Sequence, residues 1–234
     1  MKKILLINGS PKINSLSKKM TMSLLEGINK NNEYEITEVV CRDENIKPCK
    51  GCLCCTFLES GKCCIDDSMQ KWITKYKEAD ILIWSFPIFF YGMPATAKKF
   101  LDRLISVHNP YTKNNNRKIV FIVCTCGFHS IKNNTEALLK EFELIYGEQL
   151  IPLFIPEAIL YSNSFLNYKT EKKYISLKNI GSYFSENQMV PKDLIDEICT
   201  PVFSEKEFNE FFHASFYQKK ENITKQQSDL LDIR

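Results

Sequence analysis

Short runs made only of apolar residues, each followed by a stretch of helical period, constrain this chain more than any other feature. Ile4-Leu5-Leu6-Ile7 is the first such run, and residues 81–84 and 119–124 repeat it. Between them apolar residues recur at helical spacing: Met20, Leu24, Leu25 and Ile28, then Met69, Trp72, Ile73 and Tyr76. Ala97, Phe100, Leu101 and Leu104 follow, and Leu138, Leu139, Phe142 and Ile145 close the series. A strand that is apolar throughout is buried on both faces, and alternation with helices covers both faces of a parallel sheet. Residues 34–40 alternate only partly and predict an edge strand. Residues 149–155 predict the last strand, with Pro152 marking an edge or a bulge. The expectation is an α/β fold: a doubly wound, five-stranded parallel sheet with helices on both faces.

Beyond Pro156 the pattern loosens. Tyr174, Leu177, Ile180 and Phe184 predict a last covering helix. Residues 191–198 and the stripe Phe208, Phe211, Phe212 and Phe216 predict two further short helices, the stripe serving as core or subunit interface. The expected division is residues 1–185 for the sheet domain and 186–234 for a C-terminal helical extension ending in a polar tail from Gln218. That tail is expected to be mobile at its end.

The balance of 44% hydrophobic and 25% charged residues is that of a globular domain and excludes a disordered chain, a coiled coil or a collagen-like rod. Thirty-one basic side chains against 28 acidic ones leave +3, with no concentrated basic face for nucleic acid. The Lys-rich stretch 169–173 contains a Glu and reads as a solvated helix surface. The first apolar run is shorter than the about 7–15 residues of an export signal, and no stretch reaches the about 18 residues of a membrane span. A cytoplasmic location is expected. Ten cysteines in such a chain do not suggest disulfides. Cys49, Cys52, Cys54, Cys55, Cys63 and Cys64 cluster, which points to metal or redox chemistry instead.

In a doubly wound sheet, ligands bind outside the carboxyl ends of the strands. Three loops follow. The first, residues 9–17, reads GSPKINSLS: three hydroxyls, one Lys and a helix start. Free N–H groups and the positive end of a helix dipole suit an anion. Hydroxyls with a single Lys suit one terminal phosphate, although Ser and Asn are also ordinary helix caps. Neither GxxxxGK[ST] nor GxGxxG occurs. The second loop, residues 85–94, carries Phe89, Phe90 and Tyr91 between Pro87 and Gly92. Such aromatics are costly to expose and fit either a flat apolar ligand or a neighbouring subunit. The third, residues 125–129, offers backbone N–H groups beside Gly127.

These motifs, in this order, resemble the NAD(P)H-dependent FMN reductase family. The likeness runs over about residues 1–155: GSPK with Ser15 and Ser17, the cysteine stretch with Asp66-Asp67, then Pro87 to Tyr91, Lys98 and Asp102-Arg103. It implies a flavodoxin-like fold and non-covalent FMN. It places the FMN phosphate against Ser10, Lys12, Ser15, Leu16 and Ser17. Lys12 stands where the family more often has Arg, which keeps the charge and loses a bidentate fork. Pro87, Ile88, Phe89 and Phe90 would line the ring system with Tyr91 beside it, and Thr125 and Gly127 would approach its edge. The third loop departs from the usual glycine-rich pattern. No protein general base is implied, because the flavin carries the electron chemistry. His108, His129 and His213 are scattered, and no catalytic residue is assigned.

Cys49, Cys52, Cys55 and Cys63 read C-x2-C-x2-C-x7-C. Thiolates are the ligands that iron–sulfur clusters and zinc select. The spacing resembles the compact motif of iron–sulfur flavoproteins, a branch of the same broad family, and implies a possible [4Fe–4S] cluster. Zinc, or free and redox-active thiols, are the alternatives, and Cys54 and Cys64 blur which four would ligate. Cys41, Cys124, Cys126 and Cys199 read as small buried hydrophobes. Asp66-Asp67 reads as a helix cap, and Asp102-Arg103 as a local or interface ion pair.

The functional expectation is an oxidoreductase. A reduced nicotinamide passes electrons through FMN to a quinone, a nitro or azo aromatic, or a redox protein. The first alternative is an electron carrier holding FMN and a cluster; the second is a non-enzymatic zinc-binding or thiol-sensing module. The aromatic loop and the Phe stripe together lead us to expect a homodimer.

Overall fold

The computed structural model describes residues 1–57, 62–108, 118–147, 149–162, 167–214, 216–217 and 220. Apart from Lys220, the expected polar tail from Gln218 lies outside these residues.

The strands are β1 (Lys2–Asn8), β2 (Tyr34–Val40), β3 (Ile81–Pro87), β4 (Ile119–Thr125) and β5 (Leu150–Ile155). They form one five-stranded sheet in the order β2-β1-β3-β4-β5, every pairing parallel. This is the flavodoxin-like order, in which the strand sequence reverses between β1 and β3. β2 and β5 lie at the two edges, so Pro152 sits in an edge strand, as expected.

The helices are α1 (Leu16–Ile28), the single turn α2 (Cys54–Phe57), α3 (Met69–Glu78), α4 (Ala95–Arg103), α5 (Glu136–Tyr146), α6 (Asn167–Asn187) and α7 (Lys192–Cys199). A last helix, α8, spans 205–214. Successive strand residues point to opposite faces, so the continuous apolar runs feed two cores. Leu5, Ile7, Trp84 and Phe86 meet Trp72, Tyr76, Phe100 and Phe142 from α3, α4 and α5. Ile4, Leu6, Ile83 and Phe121 meet Met20, Leu24, Leu177 and Phe184 from α1 and α6. Trp84, fully buried, meets Phe100 and Phe142 edge-on at 5.9 and 5.5 Å. Burying one such side chain contributes roughly 1.5–3 kcal/mol.

α1 and α6 approach closely because neither has a side chain at the crossing. A Cβ on Gly27 would lie 2.0 Å from the Lys178 carbonyl, and one on Gly181 would lie 2.2 Å from that of Leu24.

Lys173 departs from the expected solvated surface. It is buried, and its Nζ donates to the carbonyls of Glu197 (2.6 Å), Ile198 (2.9 Å) and Thr200 (2.6 Å). A helix end leaves carbonyls unpaired, and this ammonium caps α7. Burial pushes its pKa below the ordinary lysine value. Phe208 of the expected stripe is buried with Leu160 and Phe203, Phe211 and Phe212 pack against them, and Phe216 is left exposed. Among the described residues no helix is long and apolar enough to cross a membrane.

Candidate functional site

The three loops leave from one edge, because register places Asn8 opposite Val40 and Ser85, and Thr125 opposite Pro87 and Ile155. Backbone bonds tie the loops to neighbouring strands. Gly9 N donates to Ser85 O at 2.9 Å, and Ile88 N to Thr125 O at 2.8 Å.

In the first loop Ser15 caps α1, its Oγ accepting from Lys18 N at 3.2 Å. Its Oγ also lies 2.9 Å from that of Ser17. The N–H groups of Leu16 and Ser17 open the helix and have no intrahelical acceptor. Ser10, Ser15 and Ser17 are buried at the base of the turn, Leu16 is half-buried and Lys12 is exposed. Ser10 N donates to Asn8 Oδ1 at 3.3 Å, Lys12 N to Ser10 Oγ at 3.2 Å, and Arg42 braces Lys12 O at 3.1 Å. The turn presents donors and one cation around a helix start, a cradle that fits a terminal phosphate.

The second loop is a tight reversal. Phe89 N donates to Gly92 O at 2.9 Å and Gly92 N returns to Phe89 O at 3.0 Å. Phe90 and Tyr91 between them have φ of 48° and 65°. Such conformations cost of order 1–3 kcal/mol each outside glycine and concentrate where ligands are clamped. Pro87 is half-buried and Ile88 buried, while Phe89 and Tyr91 are about half exposed and Phe90 is 98% exposed. Tyr91 stacks on Phe128 of the third loop at 5.3 Å. Thr125 is buried, and a Cβ on Gly127 would meet nothing within 4 Å among the described residues. Apolar surface from the second loop and open space at Gly127 thus lie at the same end of the sheet as the first loop.

Behind the third loop lies Glu157, which the sequence reading passed over. It is fully buried with φ of 60°. Its carboxylate accepts from Val202 N at 2.7 Å and Phe203 N at 3.3 Å, and lies 2.9 Å from His129 Nδ1. Its position just past the end of β5, after Pro156, was the available signal.

The cysteine stretch leaves the same edge after β2. Cys49, Cys52, Cys55 and Cys63 line one pocket, together with Gly51, Ile65 and Arg103. Cys54 and Cys64 stand outside this lining. Cys52, Cys54 and Cys64 instead bring their Sγ atoms within 4.8 Å of one another. The Cys54 N–H, then the Cys64 and Cys54 side chains, lower the Cys52 thiol to about 7. Cys64, bonded to Cys52, is pushed up to about 12. Cys41 and Cys126, buried as expected, are raised by burial to about 12 and about 11. Cys199 is only partly buried, and all ten thiols are unbridged.

Arg103 pairs with Asp67, not with its neighbour Asp102, which bonds Lys98. NH1 lies 2.7 Å from Asp67 Oδ2 and NH2 3.1 Å from Oδ1, with both side chains fully buried. Asp67 also accepts from Lys47 N and Met69 N, so its capping role is the lesser part of its bonding. Burial alone would raise the Asp67 carboxyl, but Arg103 and these N–H groups hold it below the usual range. Arg103 Nε is buried without a partner among the described residues, beside the thiol-lined pocket. Four thiols and one unpaired buried N–H beside them suit that pocket to a sulfur-ligated group.

The model of the NADPH-dependent FMN reductase family matches residues 2–152. The chain belongs to that family. FMN is the cofactor that membership of this family implies. An iron–sulfur flavoprotein of Methanocaldococcus jannaschii is 36% identical over 103 residues, 43% of this chain and 51% of that protein. One of Methanosarcina thermophila is 32% identical over 103 residues, 44% of this chain and 52% of that protein. This chain thus spans about half the length of the curated relatives it matches. A Bacillus anthracis FMN-dependent NADH-azoreductase solved with FMN superposes with TM-score 0.58 at 13% identity, over 79% of this chain and 100% of that one. A Methanothermobacter marburgensis NAD(P)H:quinone oxidoreductase gives 0.59 at 13%, over 78% and 96%. At that identity the likeness is one of fold.

Proposed function

We propose that this chain takes electrons from NADH or NADPH onto FMN and passes them to a quinone, a nitro or azo aromatic, or a redox protein. The carrying observation is that the α1 helix start and the strained aromatic turn follow the neighbouring strands β1 and β3 at the carboxyl ends of the sheet. Bound FMN supplies acceptance of a hydride and its onward release as electrons. The chain's own residues bind and orient. The Leu16 and Ser17 N–H groups and the hydroxyls of Ser10, Ser15 and Ser17 hold the phosphate, with Lys12 adding charge. Pro87, Ile88, Phe89 and Phe90 shelter the ring system, Tyr91 adjoins it, and Thr125 and Gly127 face its edge. The space over Gly127 leaves room for a nicotinamide. No side chain need move a proton to the ring for hydride transfer. Exposed Phe90 and Phe216 supply the surface for a homodimer.

A second reading rests on a specific observation: four cysteines share one pocket against buried Arg103. In it Cys49, Cys52, Cys55 and Cys63 ligate a [4Fe–4S] cluster, and the protein is an electron carrier of the iron–sulfur flavoprotein kind. The names of the matched relatives support it. Anaerobic purification followed by an absorption spectrum, iron and acid-labile sulfide assays, and NAD(P)H oxidation with an acceptor separates the two. Flavin bands with nicotinamide oxidation are the expected result. Stoichiometric iron without that oxidation selects the carrier, and a protein that takes up no FMN overturns both.

A further inference from the structure

Cys54 and Cys64 have no place in the four-cysteine set, yet the fold brings them to Cys52. We propose that Cys52, Cys54 and Cys64 form a three-thiolate site for a soft divalent cation such as Zn²⁺, sharing Cys52 with the pocket of Cys49, Cys55 and Cys63. The three Sγ atoms lie within 4.8 Å of one another, and those of Cys52 and Cys64 are 3.4 Å apart. Tetrahedral zinc with Zn–S of about 2.3 Å requires sulfurs about 3.8 Å apart, which small rotamer adjustments reach from this arrangement. The backbone makes the convergence possible. Gly51 and Leu53 have φ of 65° and 55°, so the chain turns sharply on either side of Cys52 before α2 begins at Cys54. Cys52 and Cys64 are exposed, so solvent fills the cation's fourth position. Thiolates are the ligands that soft cations select over carboxylates. Each thiol releases its proton to solvent as it ligates.

The shared Cys52 has a consequence that rests on the cluster reading: the cation and a cluster exclude one another. Cys52 can complete the buried set or the exposed one, and Cys54 and Cys64 decide how well a cation competes for it.

The test uses the full chain, freed of metal under anaerobic conditions and titrated with Cd²⁺ by thiolate charge-transfer absorption. One Cd²⁺ per chain is expected. Cys54→Ser and Cys64→Ser should each weaken binding at least ~100-fold, because each removes one of three ligands. Cys49→Ser and Cys55→Ser should each retain one Cd²⁺ per chain, because neither removes a ligand of this site even though each dismantles the four-cysteine set. All four replacements are near-isosteric, and the circular dichroism of each variant checks its fold. Absence of Cd²⁺ binding, or loss in Cys49→Ser with retention in Cys64→Ser, overturns the site. In a second arm, Zn²⁺ added before iron and sulfide should block cluster assembly in the wild type and not in the Cys54→Ser/Cys64→Ser variant. Assembly indifferent to Zn²⁺ in the wild type refutes the exclusion. A wild type that takes up no iron removes the cluster and the competition with it, and the Cd²⁺ titration still decides the site.

Discussion

Replacing Asp67 by Asn should destabilise this protein far more than an ordinary ion pair would suggest. The carboxylate and the Arg103 guanidinium are both fully buried and meet through two bonds, at 2.7 and 3.1 Å. Exposed pairs are worth about 0–1 kcal/mol, because water competes for both ions. Removing one partner of a buried pair costs about 3–5 kcal/mol, because it strands the other charge in the interior. Against a typical total of about 5–15 kcal/mol, that is a large share of the stability. The loss is also local in meaning. Arg103 NH1 holds the Lys47 carbonyl at 2.8 Å, and Asp67 takes Lys47 N at 2.9 Å and Met69 N at 3.0 Å. The pair therefore clasps the residues just before and just after the cysteine stretch.

The assay is urea unfolding of the wild type and Asp67→Asn at neutral pH, read as a shift in midpoint at constant slope. In parallel, alkylation of Cys55, buried in the wild type, should become faster. The acid side supplies a second measurement. In the folded state the Asp67 carboxyl is held below the ordinary carboxylate range. The unfolded chain therefore binds that proton more readily, and stability rises with pH across the interval between the two values. The contribution is complete above the ordinary carboxylate pKa and is lost as pH falls through the lower folded one. Asp67→Asn should flatten that part of the profile. A loss under about 1 kcal/mol, with unchanged alkylation, would mean that the pair behaves as a solvated one, and the argument from burial would fail.

Two further substitutions probe the flavin edge. Ser15→Asp keeps a capping oxygen at the start of α1, since Asp caps as well as Ser, and circular dichroism checks that the fold is retained. Its charge faces the phosphate at a few ångströms, so FMN affinity, read by flavin fluorescence, should drop at least ~100-fold; unchanged affinity contradicts the first-loop assignment. Glu157→Leu removes the buried acceptor of the Val202 and Phe203 N–H groups, at a cost of about 1–3 kcal/mol. Limited proteolysis near residues 200–204 should become faster in that variant, and protection equal to the wild type would show that other contacts hold the C-terminal helices.

The inner strands β1, β3 and β4 were legible because each runs between two covered faces, which leaves an apolar run unbroken by polar residues. Ile81-Leu82-Ile83-Trp84 is such a run, and all four residues are buried. The start of α1 was legible for a different reason: serines after a strand end are ordinary helix caps, and Ser15 caps α1. The charged interior was not legible. Arg103 meets Asp67 across 36 residues, Lys173 meets Ile198 across 25, and Glu157 meets Val202 across 45. Local periodicity places a Lys or Arg on the polar side of a helix and assigns it to water. Only the tertiary fold shows that an orphaned carbonyl or a carboxylate waits there. The aromatic turn lay between these cases. Its exposure cost was readable from Phe89, Phe90 and Tyr91, but the positive φ of Phe90 and Tyr91 depends on the Phe89–Gly92 closure.

α4 joins the two candidate sites, and its sequence accounts for how. In its first turn Thr96 Oγ1 donates to Gly9 O at 2.5 Å, and a Cβ on Gly9 would fall 2.4 Å from that of Ala97. The phosphate turn is therefore pressed onto this helix, with no room for any residue larger than glycine. Further along, Lys99 Nζ reaches Glu44 O at 3.3 Å, and Arg103 ends the helix by gripping Lys47 and Asp67. A helix of this length rises about 13 Å, at 1.5 Å per residue. One rigid element thus has the flavin cradle at its start and the thiol-lined pocket at its end. Their placement on α4 fixes the separation between the first loop and the thiol-lined pocket, so a substitution that shifts one end of this helix is felt at the other.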